Sequence, residues 1–243
     1  DVSNSIIFKV TDKDGDSAQD TLTIKVKDNG VVIVPPSGGD SDLNAYEKHL
    51  EGNGGNTHDG TAVDNKPTWT DTKTVSIEAP DGLGSITING MNIPLGGPHI
   101  IQGEYGYLQA TLARAGDGTY SLTYKYLLEQ RAQHASGKGE NTDLAQGIPP
   151  EKFEVVVTDT DGDQSKVTVN INIVDDVPTV EFVADSGDTT ADVYDSGAGK
   201  TVTGTLDIDG GADGIASIMI NGKDVSGGTE ANPVVINDQQ GGV

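Results

Sequence analysis

A chain of 243 residues with no cysteine, 34% hydrophobic and 5% aromatic residues excludes a disulfide-stapled miniprotein and leaves room for one or two lean domains. Thirty-eight Asp and Glu against fifteen Lys and Arg give a formal charge of −23, which disfavours nucleic acid and anionic membrane as partners and makes a compact state self-repelling. No apolar run approaches the roughly eighteen residues of a spanning helix.

The first predicted elements rest on period-2 alternation. Ser5 to Val10 and Thr21 to Val26 alternate on either side of Thr11-Asp12-Lys13-Asp14-Gly15-Asp16, the pattern of a hairpin closed by an Asp/Gly turn. Val31 to Val34, followed by Pro35-Pro36, reads as an edge strand or extended linker, because proline cannot donate to a ladder. From Ser37 to Pro67 the chain is rich in Gly, Asp and Asn; within it, Asp42 to Leu50 is compatible with one or two helical turns. A strand is predicted over Lys73 to Glu78. Ser85 to Ile88, Asn89-Gly90 and Met91 to Ile93 form a hairpin signal, since Asn-Gly accepts the positive φ angles of a type I′ turn. A second hairpin runs from Tyr107 to Arg114, turns at Gly116-Asp117-Gly118 and returns through Tyr120, Leu122, Tyr124 and Tyr126. Residues 128–150 read as a polar loop. Phe153 to Val157 and Val167 to Ile173 then make a closing hairpin around Thr158-Asp159-Thr160-Asp161-Gly162-Asp163. Short strands, turn signals and 33 glycines without a helical run predict an all-β fold, an antiparallel β-sandwich.

Two echoes organise the chain. The acidic phrase at position 11 returns at position 158, a spacing of 147, with the flanking strands in the same register and Asp28-Asn29 matching Asp175-Asp176. Asp81-Gly82-Leu83-Gly84-Ser85-Ile86-Thr87-Ile88-Asn89-Gly90 returns as Asp213-Gly214-Ile215-Ala216-Ser217-Ile218-Met219-Ile220-Asn221-Gly222, a spacing of 132. Self-similarity of this kind predicts a tandem array. Residues 1–29 are then the C-terminal hairpin of a preceding repeat, 30–176 a complete sandwich repeat, and 177–243 the N-terminal part of a following one. No signal peptide opens the sequence, and Asp1 lies inside a repeat, so this start carries no information on export.

The phrase Asp-x-Asp-Gly-Asp sets three carboxylates within five residues, and its glycine allows the tight turn that lets them converge. Such carboxylates repel one another unless a cation lies between them. Ca²⁺ suits the geometry because it accepts six to eight oxygen ligands irregularly arranged. The candidate metal residues are Asp12, Asp14 and Asp16, Asp159, Asp161 and Asp163, and the seam residues Asp28, Asp175 and Asp176. An EF-hand is excluded: counting from Asp159, the sixth residue is Gln164 and the twelfth Asn170, where glycine and a bidentate glutamate belong. The alternative is an ordinary hairpin turn with solvated carboxylates and a polar linker.

For catalysis the chain offers little. His49, His58, His99 and His134 are scattered outside any zinc-protease or nucleophile-elbow setting and read as surface or turn residues. Trp69, the single tryptophan, reads as a core or edge residue rather than a sugar platform. The expectation is a non-enzymatic protein.

Gly103-Glu104-Tyr105-Gly106-Tyr107-Leu108, Gly118-Thr119-Tyr120-Ser121-Leu122, Val157 to Asp163 and Ile173-Val174-Asp175-Asp176-Val177-Pro178-Thr179 occur in an order that resembles the repeat of giant RTX-type bacterial adhesins exported by type I secretion. Those repeats are Ig-like or cadherin-like extender modules of the VCBS-like and T1SS-143-like kind, and the likeness covers nearly the whole chain. It implies calcium-stiffened sandwiches at the bacterial cell surface, joined to neighbouring repeats of the same polypeptide, projecting a distal region toward a host or biofilm surface ligand. The ion role then falls on the nine aspartates above, with no nucleic acid and no direct membrane insertion. Two departures from a plain extender, the long 37–67 stretch and the 128–150 loop, leave open a module that binds a glycan or peptide.

Overall fold

A computed structural model describes residues 2–50, 68–116, 118–183, 205–229, 232 and 234–236. His58, Asp117, residues 51–67 of the polar stretch and much of the segment after residue 183 lie outside the described residues.

Chain order gives β1 (Val2–Thr11), β2 (Ser17–Val26), β3 (Val32–Val34), β4 (Leu43–Tyr46), β5 (Lys73–Glu78), β6 (Leu83–Ile88), β7 (Met91–Asn92) and β8 (Gly96–Gln102). There follow β9 (Gly106–Gly116), β10 (Thr119–Leu128), β11 (Glu151–Asp159), β12 (Gln164–Val174), β13 (Thr179–Val183), β14 (Thr205–Asp209), β15 (Met219–Ile220) and β16 (Lys223–Asp224). The fold is all-β. Among the described residues the only helical element is a 3₁₀ turn at Glu47–His49, and none of them forms a helix long and apolar enough to cross a membrane.

Two five-stranded sheets face each other, one in the order β3-β5-β10-β9-β8 and the other β4-β12-β11-β6-β7. Neighbours are antiparallel except β4, which runs parallel to β12 through Leu43–Ile171, Asn44–Asn172, Ala45–Ile173 and Tyr46–Val174. The alternating pattern of each strand turns one set of side chains inward. Val75, Ile77, Leu108, Ala110, Leu122, Tyr124 and Tyr126 from one sheet meet Leu43, Ile86, Ile88, Phe153, Val155, Val157 and Val169 from the other. Burying each such Val, Leu, Ile or Phe is worth about 1.5–3 kcal/mol over leaving it exposed. The core tyrosines find partners for their hydroxyls: Tyr124 donates to Ser41 O at 2.8 Å and Tyr126 to Glu151 Oε2 at 3.2 Å.

One local expectation changes, and one strand was not foreseen. Leu43–Tyr46 is a strand rather than helical, because pairing with β12 at a sheet edge outweighs its local pattern; only Glu47–His49 coils. β8 escapes the alternation signal because Gly96, Gly97 and Pro98 open it, and its register on β9 breaks between Gly96 and His99.

The flanking segments carry pairings in the same registers as parts of the sandwich. β1 pairs β2 with Val10 opposite Ala18, as β11 pairs β12 with Val157 opposite Ser165. β13 pairs β14 as β3 pairs β5, Val180 with Ile208 and Ile33 with Ile77. β15 and β16 repeat β6 and β7, with Asn221 at φ 47° where Asn89 has φ 47°. Exposure differs sharply. Ile6, Phe8, Val10, Leu22, Ile24 and Val26 are all at least 43% exposed, whereas their counterparts Phe153, Val155, Val157, Val169, Ile171 and Ile173 are at most 4% exposed.

Candidate metal centres

Each acidic phrase folds into the same turn. Asp159 N donates to Asp163 O at 3.0 Å, and Asp159 Oδ1 accepts from the backbone N–H of Gly162 and Asp163 at 3.0 and 2.7 Å. In the first copy Asp12 N donates to Asp16 O at 2.9 Å, and Asp12 Oδ1 accepts from Gly15 and Asp16 at 3.0 and 2.8 Å. The first aspartate of each phrase therefore builds the turn, as short acidic side chains do when they bond nearby backbone. A hydrogen bond from the next aspartate, Asp14 or Asp161, holds the Asp12 and Asp159 carboxyls below the usual range, helped by the backbone donors.

The surroundings of the two turns differ. Asp12, Asp14 and Asp16 bring carboxylate oxygens within 4.8 Å of one another, all three exposed. At the second turn the convergent set is Asp28, Asp161 and Asp163, again within 4.8 Å. Asp28 belongs to the linker between β2 and β3, so this cluster joins the hairpin to the sandwich. The linker runs close over the turn, for a Cβ at Gly30 would sit 3.1 Å from Asp163 Oδ2. A third segment arrives through the β5–β6 turn: Thr160 N donates to Gly82 O at 3.1 Å and Thr160 Oγ1 to Asp81 O at 2.6 Å. Gly84 makes this possible, since a Cβ there would lie 2.2 Å from Asp159 O, where β6 and β11 shift register.

Electrostatics record the crowding. Asp161 is pushed up to about 6, first by its hydrogen bond with Asp159, then by burial and the charges of Asp159, Asp28 and Asp163. Asp81 is raised by desolvation and by a hydrogen bond with Asp28. Asp159 Oδ2 is buried without a hydrogen-bond partner among the described residues. Three carboxylates from two segments, Asp28, Asp161 and Asp163, thus converge, with Asp81 bonded to Asp28 and Asp159 to Asp161, an arrangement suited to a hard dication with oxygen ligands.

The third cluster lies where β12 leaves the sandwich. It comprises Glu47 of the 3₁₀ turn, His134 of the 129–150 loop and Asp175 of the outgoing linker, with ligand atoms within 4.8 Å of one another. His134 corrects the expectation of a surface histidine: the residue is 9% exposed and bridges backbone-to-backbone with Leu144. Glu47 Oε1 accepts from Ala132 N at 2.6 Å and lies 3.3 Å from His134 Nε2 without hydrogen-bond alignment. Burial pushes the Glu47 carboxyl up to about 8, with Asp213, Asp175 and Asp176 adding to the rise against the Ala132 donor. Asp175 is also raised by burial, which outweighs the opposing pull of His134.

The predicted seam pair separates. Asp175 faces Glu47 and His134, while Asp176 turns the other way and accepts from Ala212 N at 3.1 Å. Beside it, Arg131 Nη1 donates to Ala212 O at 2.9 Å and lies 3.3 Å from Asp213 Oδ1, holding the following segment to the sandwich.

Sequence reasoning missed Asp81, Glu47 and His134. Asp81 had a signal, because it opens the second echo and its counterpart Asp213 stands at the other joint. Glu47 and His134 had none, being 87 positions apart and brought together only by the fold. No family model matches the chain, and no curated protein matches its sequence.

Proposed function

We propose that the chain is a calcium-stiffened structural extender segment of a large cell-surface adhesin, non-enzymatic and secreted to the bacterial exterior, which projects a distal binding region for adhesion and biofilm formation. The observation that carries this reading is the closure of linker residue Asp28 onto Asp161 and Asp163 of the next sandwich. A Ca²⁺ ion held there, with Asp81 alongside, relieves the repulsion and fixes the angle between hairpin and sandwich. Shared registers in β1–β2 and β11–β12, and in β13–β14 and β3–β5, support the division into a preceding hairpin (1–29), a complete repeat (30–176) and the start of another (177–243). The exposed apolar face of β1–β2 fits a hairpin whose facing sheet belongs to that preceding repeat.

Folding is then linked to calcium by mass action, because an ion that binds only the folded state stabilises it. Extracellular modules bind Ca²⁺ with dissociation constants of about 10⁻⁴–10⁻³ M, so such a chain stiffens after export. Thermal unfolding and small-angle scattering, each in calcium and in excess chelator, test the reading. A higher melting temperature and a longer, stiffer particle in calcium, both reduced in Asp28→Asn, are expected. Identical curves in both states would end it and turn attention to the 37–67 and 128–150 loops as a glycan- or peptide-binding surface.

A further inference from the structure

We propose that Glu47, His134 and Asp175 form a binding site for a divalent transition-metal ion of the zinc class, distinct in place and chemistry from the carboxylate cluster at Asp28. Three segments far apart in sequence deliver one donor each, and the donors lie within 4.8 Å of one another. Each of the three carries buried polar atoms left unsatisfied: Glu47 Oε2, both ring nitrogens of His134 and Asp175 Oδ1 have no hydrogen-bond partner among the described residues. The Glu47 and His134 side chains are 0% and 2% exposed, so water does not serve them freely. Buried polar groups are normally paired, and a cluster of unpaired ones needs an explanation.

Glu151 shows that this protein can satisfy a buried glutamate with its own donors. Its Oε2 accepts from Glu104 N at 2.9 Å, Tyr105 N at 2.8 Å and Tyr126 Oη at 3.2 Å. Glu47 has the single Ala132 donor, on its other oxygen, and that contact fixes its orientation as outer partners of metal ligands do.

The donor set selects the ion. Calcium takes oxygen ligands, whereas imidazole suits zinc and its neighbours, and two carboxylates with one neutral imidazole balance a dication. Zinc ligands sit at about 2.0–2.2 Å, so side chains of this spacing close on the ion by small rotations. A cleft of about 450 Å³ lined by His134, Asp175 and Asp213 reaches the site, giving the ion access and leaving its remaining position to water or to Asp213. Bound there, the ion staples the 3₁₀ turn, the 129–150 loop and the outgoing linker in a chain that has no cysteine. The inference does not depend on the calcium reading.

The test is calorimetric titration of the chelator-stripped chain with Zn²⁺, Co²⁺ and Ca²⁺, alongside thermal unfolding. One Zn²⁺ per chain is expected at this site, retained in millimolar Ca²⁺, with Co²⁺ giving visible absorption typical of nitrogen and oxygen ligation. His134→Gln should weaken Zn²⁺ by at least the roughly 10–100-fold that loss of a supporting residue costs at metal sites. Glu47→Gln should lose the Zn²⁺ response yet melt higher than the parent in chelator, a sign opposite to that of a misfolded variant. Asp28→Asn should keep the Zn²⁺ response; its calcium response bears on the extender reading alone. No Zn²⁺ binding, equal displacement by Ca²⁺, or an unchanged response in His134→Gln would overturn the proposal.

Discussion

Where the linker from the first hairpin arrives, Asp28 faces Asp161 and Asp163 with all three carboxylates exposed; where β12 leaves, Asp175 faces Glu47 and His134, both nearly closed to solvent. Asp28 and Asp175 hold the same position, 147 residues apart, yet one faces the turn of the sandwich that follows it and the other the loop of the sandwich that precedes it. A linker aspartate of this type can therefore address both neighbours. The difference in burial sets the energetics. Exposed carboxylates share their charge with water and tolerate an empty site, while a buried glutamate without enough donors must hold a proton or a cation.

The largest expected effect comes from the buried end. In chelator, the Glu47 carboxyl ionises near 4.5 in the unfolded chain and near 8 in the folded one. Its contribution to stability is complete below pH 4.5 and is lost as pH rises to about 8, a change on the order of a few kcal/mol at about 1.4 kcal/mol per unit. Denaturant unfolding across that range should show the decline, and Glu47→Gln should flatten it; parallel curves would erase the contrast between the two ends. At the exposed end, Asp28→Asn should weaken Ca²⁺ about tenfold, or about 1.4 kcal/mol, in a calorimetric titration. An unchanged affinity would detach the linker from the site.

A smaller effect concerns acid. Asp161 keeps its proton to about pH 6, and Ca²⁺ must displace it, so calcium affinity should weaken as pH falls below that value. Constant affinity between pH 7.5 and 5 would remove Asp161 from the site. The smallest change is expected at the first turn, where among the described residues none outside the phrase joins Asp12, Asp14 and Asp16 in the cluster. Asp14→Asn should move the calcium-dependent melting temperature little, and a shift as large as that of Asp28→Asn would make the two turns equivalent.

Local patterns made most of the strands legible. Alternation marks β5, β9, β10, β11 and β12, and Asn89-Gly90 marks the β6–β7 turn, because period and turn chemistry are written in neighbouring residues. β4 was not legible, since a four-residue strand at a sheet edge owes its form to β12. The carboxylates of the turns could be read from their spacing, but the partners that distinguish the turns could not. Asp28 meets Asp161 and Asp163 through a linker path, and His134 is buried by Glu47 and Asp175 from elements that share no sequence pattern with it.

The parallel pairing of β4 with β12 has a mechanical consequence. Tension that passes β3 and its pairing with β5 draws Leu43 backward while Val174 is drawn forward, along strands that run the same way, so their ladder is loaded in shear. Four residue pairs must then yield together instead of one after another. Side chains extend the same seam: Asp42 Oδ1 accepts from Asn170 N and Nδ2, each at 3.0 Å, and Asn172 Nδ2 donates to Asn44 Oδ1 at 3.0 Å. Once β3 has parted from β5, a pull on the chain thus meets β4 and β12 clasped side by side.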